Sequence, residues 1–306
     1  MTNRFKAYKD EENSPCQHSG CFFDAVSESN YCWQHTDDKA GYRSKIEDLV
    51  RDGHDFSGGY FAKVNLGAIN ISNGKFEDCN FTATYLKEAN LSNADFSGSE
   101  FRRANLERAN LSNAKLISIK LEGALLDQAN LSDSNLNSAE LNYANLSFAN
   151  LSKADLTKVS ARHAIFIGAN LKQATLDEAN FAFAIMKGTH ARGVHGAFAI
   201  LGGALLLDAD FEQADLNRAN FVGTDARKAN FKKANLYFIR SGSANFSYAN
   251  FEGANLTRAI CREANLSRAN LTGAIIEGAV FERTYLAGIQ PKNLDFSKNN
   301  TNGAEF

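Results

Sequence analysis

From Phe56 to Phe306 every fifth residue falls on one unbroken register. Of its 51 positions, 43 are Leu, Phe, Ile or Met, and the residue two places earlier is Ala in 32 cases. Between the two stands most often Asn or Asp, as in Ala104-Asn105-Leu106-Glu107-Arg108. A period of five is neither the 3.6 of a helix nor the alternation of a strand. It marks a repeat whose units bury their apolar residues only by stacking on one another. Upstream of the register the pattern turns helical. Thr36-Asp37-Asp38 predicts a helix start, with Thr36 as N-cap and two acids in the first turn. Tyr42, Ile46, Leu49 and Val50 give one apolar stripe, and Gly53 suits a C-terminal stop.

The register resembles that of the pentapeptide-repeat family and covers residues 56–306. The resemblance implies an all-β solenoid, a right-handed quadrilateral β-helix with one pentapeptide per side and 20 residues per coil. The large central residue and the small residue two places before it would point inward, and the other three positions outward. The 20-residue coil is also legible by itself. Phe56, Phe76 and Phe96 share one side, and Phe61, Phe81 and Phe101 share the next. Like side chains stack when coils lie at strand spacing, so about 13 coils give a rod on the order of 60 Å long. The Asn or Asp is expected to bond nearby backbone at each corner. Ala191 and Gly196, among Gly188, Gly193, Gly202 and Gly203, interrupt the large central residues. That stretch reads either as a thin core or as a bulge exposing His190, His195 and Phe198.

The chain divides into a head over 1–35, a capping helix and linker over 36–55, and the rod over 56–306. Cys16, Cys21, Cys32 and His35 have the spacing Cys-x4-Cys-x10-Cys-x2-His. Three thiolates and an imidazole are a tetrahedral zinc set, and a full set without an open position is structural. A head too short for a core gains from such a staple. His18 is the alternative fourth ligand. Cys79 and Cys261 occupy inward positions and read as small buried hydrophobes. The helix stripe needs a partner, and the exposed edge of the first coil offers one. The C-terminal end shows no comparable helix; it reads as frayed, paired with a second copy in a homodimer, or covered by a partner.

Net charge is −2 and pI about 6.3, which does not suggest direct nucleic-acid binding. Residues 1–55 carry 7 basic and 11 acidic residues, and residues 56–306 carry 26 and 24. No stretch is apolar enough to span a membrane, and residues 1–6 lack the apolar core of a signal peptide, so a cytoplasmic protein is expected. Five Cys without a signal sequence argue against a disulfide framework. No phosphate-binding Gly loop or nucleophile elbow is present, and the chain reads as a non-enzyme.

Outward positions 20 apart lie above one another, so the surface reads as columns. Tyr143, His163 and Phe183 form one aromatic column. Phe198, Arg218, Phe238 and Arg258 alternate ring and cation in another, with Tyr237 beside them. Arg227, Lys228, Lys232 and Lys233 form a basic group. These features point to a protein–protein interaction scaffold with an unknown partner. The alternative carried by the resemblance is topoisomerase protection: pentapeptide-repeat proteins of the quinolone-resistance type mimic DNA and bind gyrase. Such mimicry needs a strongly acidic rod, and this one is near neutral by count.

Overall fold

A computed structural model describes residues 14–292 and 294–306. Residues 1–13 of the head, including the N-terminal stretch read above as lacking a signal peptide, lie outside the described residues.

The rod is built from single-residue parallel bridges at a spacing of 20. Asp55 pairs with Lys75, Tyr60 with Asn80, and so on coil after coil to Asn270 with Gln290. Four sides per coil follow from four bridges per 20 residues. Central residues such as Leu106, Leu126 and Leu146 are fully buried, as are the Ala residues two places earlier. Phe56, Phe76 and Phe96 stack with ring centroids 5.0 and 5.2 Å apart, which sets the rise of one coil.

In a repeat with an Asn or Asp before the central residue every backbone N–H has a partner, which explains the five-letter alphabet. In the repeat Leu106 to Asn110, the Leu106, Arg108 and Asn110 amides bond the coils on either side. Ala109 closes a turn onto Leu106 O at 2.9 Å. The remaining amide, Glu107, is taken by the Asn105 side chain at 3.0 Å. The Asn or Asp before each central residue is therefore a corner cap acting on the amide two residues on. The residue two after each central one has φ near +60°, as at Arg108 and Phe238, the signature of a type II turn. Asn side chains also form ladders, as from Asn170 through Asn150 and Asn130 to Asn110, at 2.9–3.2 Å.

The capping helix, α1, spans Lys39–Arg51. Its N-cap is Asp38, which accepts from the Gly41 amide at 2.7 Å, and this corrects the assignment to Thr36. Thr36 instead is buried and donates to Cys32 O, tying the helix entry to the head. Gly53 has φ 81° and donates to Val50 O, while His54 donates to Leu49 O, a Schellman stop. Tyr42, Ile46 and Val50 are buried against the first coil. The exposed edge of that coil is covered as well. Glu47 accepts from the Asn70 amide, Ser27 pairs both ways with Tyr60, and Arg43 donates to Gly67 O.

The stretch around Ala191 and Gly196 does not bulge. His190 and His195 stay on the ladder, bridged to Asp210 and Asp215. Leu216 leans into the space at Gly196, where an added Cβ would stand 3.0 Å from its Cδ2. The irregularity lies elsewhere. Residues 291–296 make no bridge among the described residues, and pairing resumes at Asn300 and Glu305. The expectation of a ladder unbroken to Phe306 is corrected there. Pro291 occupies a central position, and Asn299, at an inward position, turns its amide onto Ile276 O and Ala279 O. An inward polar residue and a ring without an N–H do not fit the regular wall.

Candidate metal centre and interaction column

The head is a pair of tight turns held by its own backbone. Cys16 N donates to Phe23 O and Cys21 N to His18 O, with Gly20 at φ 76° in the reversal. Cys32 precedes a 3₁₀ turn over Trp33–His35, closed by His35 N to Cys32 O at 3.0 Å. These turns bring Cys16, Cys21, Cys32 and His35 together, with ligand atoms all within 4.8 Å of one another. Cys21 Sγ lies 3.8 Å from Cys32 Sγ, and His35 Nδ1 lies 3.5 Å from Cys16 Sγ and 3.3 Å from Cys32 Sγ. Ligands about 2.3 Å (sulfur) and 2.0–2.1 Å (nitrogen) from a tetrahedral zinc stand about 3.5–3.8 Å apart, so the four donors fit that ion.

His18 is outside the four-donor set. Its ring stacks on His35 at 3.7 Å and 5°, which fixes the orientation of the His35 imidazole. Burial pushes the Cys16 thiol up, but the Cys32 and His18 amides and the His35 and Cys21 side chains outweigh it and bring it to about 6. At Cys21 the Phe23 amide lowers the thiol, yet burial and the adjoining Cys16 and Cys32 leave it raised. Cys79 and Cys261 are outside this set, buried in the rod and pushed up by burial to about 12 and about 11.

The rod surface carries two aromatic columns where the 20-residue spacing places them. Tyr143, His163 and Phe183 stack at 5.1 and 5.2 Å, with planes within 9°. Arg162 lies 6.0 Å from the Phe183 ring. In the second column Arg218 covers Phe198 at 5.4 Å, and Tyr237 and Phe238 stand 6.2 Å apart. Phe198, Arg218, Tyr237, Phe238, Arg240 and Arg258 together line a shallow depression of about 530 Å³. Arg240 escaped the sequence reading because it occupies the corner-cap position where Asn is usual. A further pair, Tyr248 and Arg268, was also missed although its spacing is 20; Arg268 bonds the Tyr248 hydroxyl at 2.6 Å and covers its ring.

The basic group does not act as a unit. Arg227 is held by Asp225 through two contacts of 2.8 Å, and Lys232 pairs with Glu252 at 2.9 Å. No helix among the described residues is long and apolar enough to cross a membrane.

The pattern that defines pentapeptide repeats (8 copies) matches residues 79–116, 119–157, 154–193, 204–237 and 244–283, more than half of the chain. Among solved structures, the chain is similar to HetL, a pentapeptide repeat protein involved in heterocyst differentiation regulation in the cyanobacterium Nostoc. That likeness has 26% identity and a TM-score of 0.51, and covers 79% of this chain and 95% of HetL. Rfr23, a pentapeptide repeat protein from the cyanobacterium Cyanothece, matches at 23% identity with a TM-score of 0.30, covering 42% of this chain and 93% of its own. QnrB1, a plasmid-mediated fluoroquinolone resistance protein, matches at 16% identity with a TM-score of 0.29, covering 81% of this chain and 93% of its own. No curated protein sequence matches the chain.

Proposed function

Since the chain belongs to the pentapeptide-repeat family, we propose that it is a non-enzymatic interaction scaffold: a right-handed, zinc-stapled rod that binds a protein partner through the column from Phe198 to Arg258. The observation that carries this reading is the lining of the depression. All six residues are Arg or aromatic, the types that dominate interface energies. They stand on a wall whose backbone is paired on both sides, so binding orders little. HetL, the similar pentapeptide repeat protein, is involved in regulation, which supports a regulatory use of the rod. In this reading Cys16, Cys21, Cys32 and His35 hold one structural zinc, which fixes the head against α1 and the first coil.

The topoisomerase reading finds less support. DNA mimicry needs a strong excess of uncompensated carboxylates, whereas this rod carries 26 basic and 24 acidic residues and several of its acids pair with cations one coil away. Lys87 with Glu107, Lys120 with Glu100, Arg192 with Glu212 and Arg262 with Glu282 stand at 2.8–3.2 Å.

The test is quantitative capture of partners by the full chain and by a Phe238→Ala, Arg218→Ala double variant. Both side chains are exposed, so the variant keeps its fold. Capture of the partner is expected to weaken more than about tenfold. Undiminished capture by a folded double variant would return the column to ordinary surface.

A further inference from the structure

We propose that the occupant of the Phe198–Arg258 column is a short acidic peptide segment carrying an apolar side chain. This rests on the reading of that column as the partner surface and names the chemistry the surface selects.

Some rod cations face an acid one coil away, as in Lys115 with Asp95, Arg108 with Glu88 and Arg283 with Glu263. The column gathers cations with no such partner into one depression. Arg218, Arg240 and Arg258 line one depression, and none of them makes an ion pair among the described residues. No acid lines the depression. Three exposed guanidiniums held within two coils repel one another, and an incoming set of carboxylates removes that repulsion through bidentate hydrogen bonds.

The surroundings supply the apolar part. Phe198 and Phe238 are 50% and 42% exposed, and Ile200 and Val222 on the adjoining side are also exposed. The next corner is low, because Gly223 and Gly242 carry no side chain there and a Cβ on Gly223 would meet nothing within 4 Å. An extended segment can therefore lie on this side between the Arg–aromatic ridge and the low corner.

The ends of the column favour a short peptide over a polyanion. One coil before Phe198 the same corner carries Asp177 and Glu178, and one coil beyond Thr257 it carries Glu277. The cationic stretch is thus bounded by acids on both sides. Three coil rises are about 14 Å, which matches about four residues of extended chain. A nucleic-acid strand running past those ends would meet carboxylates, and three cations give little counterion release.

Fluorescence anisotropy of the full chain tests this with three labelled probes. They are an octapeptide of Glu and Asp around one Phe, the same peptide with Gln and Asn, and a twelve-nucleotide oligothymidylate. The acidic peptide is expected to bind at least tenfold more tightly than its amide counterpart and than the oligonucleotide. An Arg218→Glu, Arg258→Glu variant of unchanged melting temperature should lose at least tenfold of that affinity. A Lys153→Glu, Lys172→Glu variant, altered on an adjoining side of the rod, should lose none. Equal binding of the acidic and amide peptides, equal loss in both charge-reversal variants, or tighter binding of the oligonucleotide would overturn the proposal. The two readings fail separately. If the Phe238→Ala, Arg218→Ala variant loses its captured partner while the acidic peptide does not bind, only the assigned chemistry falls. If capture is undiminished, the column itself is not the partner surface.

Discussion

Phe238 has φ 55° and Phe198 φ 61°, in a region that L-residues other than Asn and Asp seldom occupy. The ladder holds them there, because the turn on which they sit is closed on both sides. A bulky ring at such a corner does nothing for the turn. Phe238→Gly therefore should change the unfolding free energy by less than about 1 kcal/mol, since relief of strain offsets lost packing. Partner capture should fall nonetheless. A large loss of stability in thermal melts would mean that Phe238 packs rather than presents. The opposite is expected in the wall: Leu126→Ala should cost about 2–5 kcal/mol in denaturant unfolding, because Leu126 is fully buried between coils. An effect as small as that of an exposed Ser-to-Ala change would contradict its place. The inward residues were legible in sequence because the period of five sorts them without help. Arg240 was not, because the repeat assigns its position to a corner cap and a cation there looks like a lapse in the pattern. Asp38 was not, because Thr36 and Asp38 are both good caps and only the Thr36 bond to Cys32 decides between them.

The head and α1 form the element that closes one end of the wall. Chelation at neutral pH should release about one zinc per chain, as measured by elemental analysis, and lower the order of the head. The rod should keep its far-ultraviolet dichroism, because its core is buried by other residues. A rod that melts on chelation would place the metal in the main folding unit. Thiol chemistry gives a second check. Cys79 and Cys261 are pushed up to about 12 and about 11 by burial, so at pH 8 they remain neutral and covered. After chelation a thiol reagent should count three reactive sulfurs in the native chain and five after denaturation. Five at once would show that the core opens without unfolding. That Cys16, Cys21, Cys32 and His35 cluster was legible from spacing, since Cys32 and His35 sit on one short turn. The stacking of His18 on His35 was not, because it depends on how the two turns fold back on each other.

At the scale of the whole molecule, cross-coil ion pairs decorate a wall that hydrogen bonds and burial already hold. Lys120 keeps Glu100, and Lys87 keeps Glu107, below the usual carboxylate range. Their contribution is present above the unfolded value of about 4.3 and is lost as pH falls through the lower folded values. Glu140 runs the other way: the adjoining Glu122 and burial raise it, so its contribution is present at low pH and lost as pH rises. The lowered groups outnumber it, and a fall in melting temperature is expected between about pH 5 and pH 3. Exposed pairs contribute about 0–1 kcal/mol each, so the fall should be modest, and 1 M salt should reproduce most of it. Collapse of the rod at pH 4 would show that charge, not burial, holds the coils. The rod as a whole was legible because one local rule repeats without insertion. Its departure over 291–296 was only hinted at by Pro291, since the register itself continues through it.

Hydroxyl-radical footprinting of the free chain and of the chain bound to its captured partner decides whether the column from Phe198 to Arg258 is the proposed binding surface. Phe198, Tyr237 and Phe238 should be oxidised in the free chain and protected in the complex, while Tyr143 and Tyr248 keep their free-chain reactivity. Unchanged oxidation of Phe198 and Phe238 in a saturated complex, or protection confined to another face, would mean that the partner binds elsewhere on the rod.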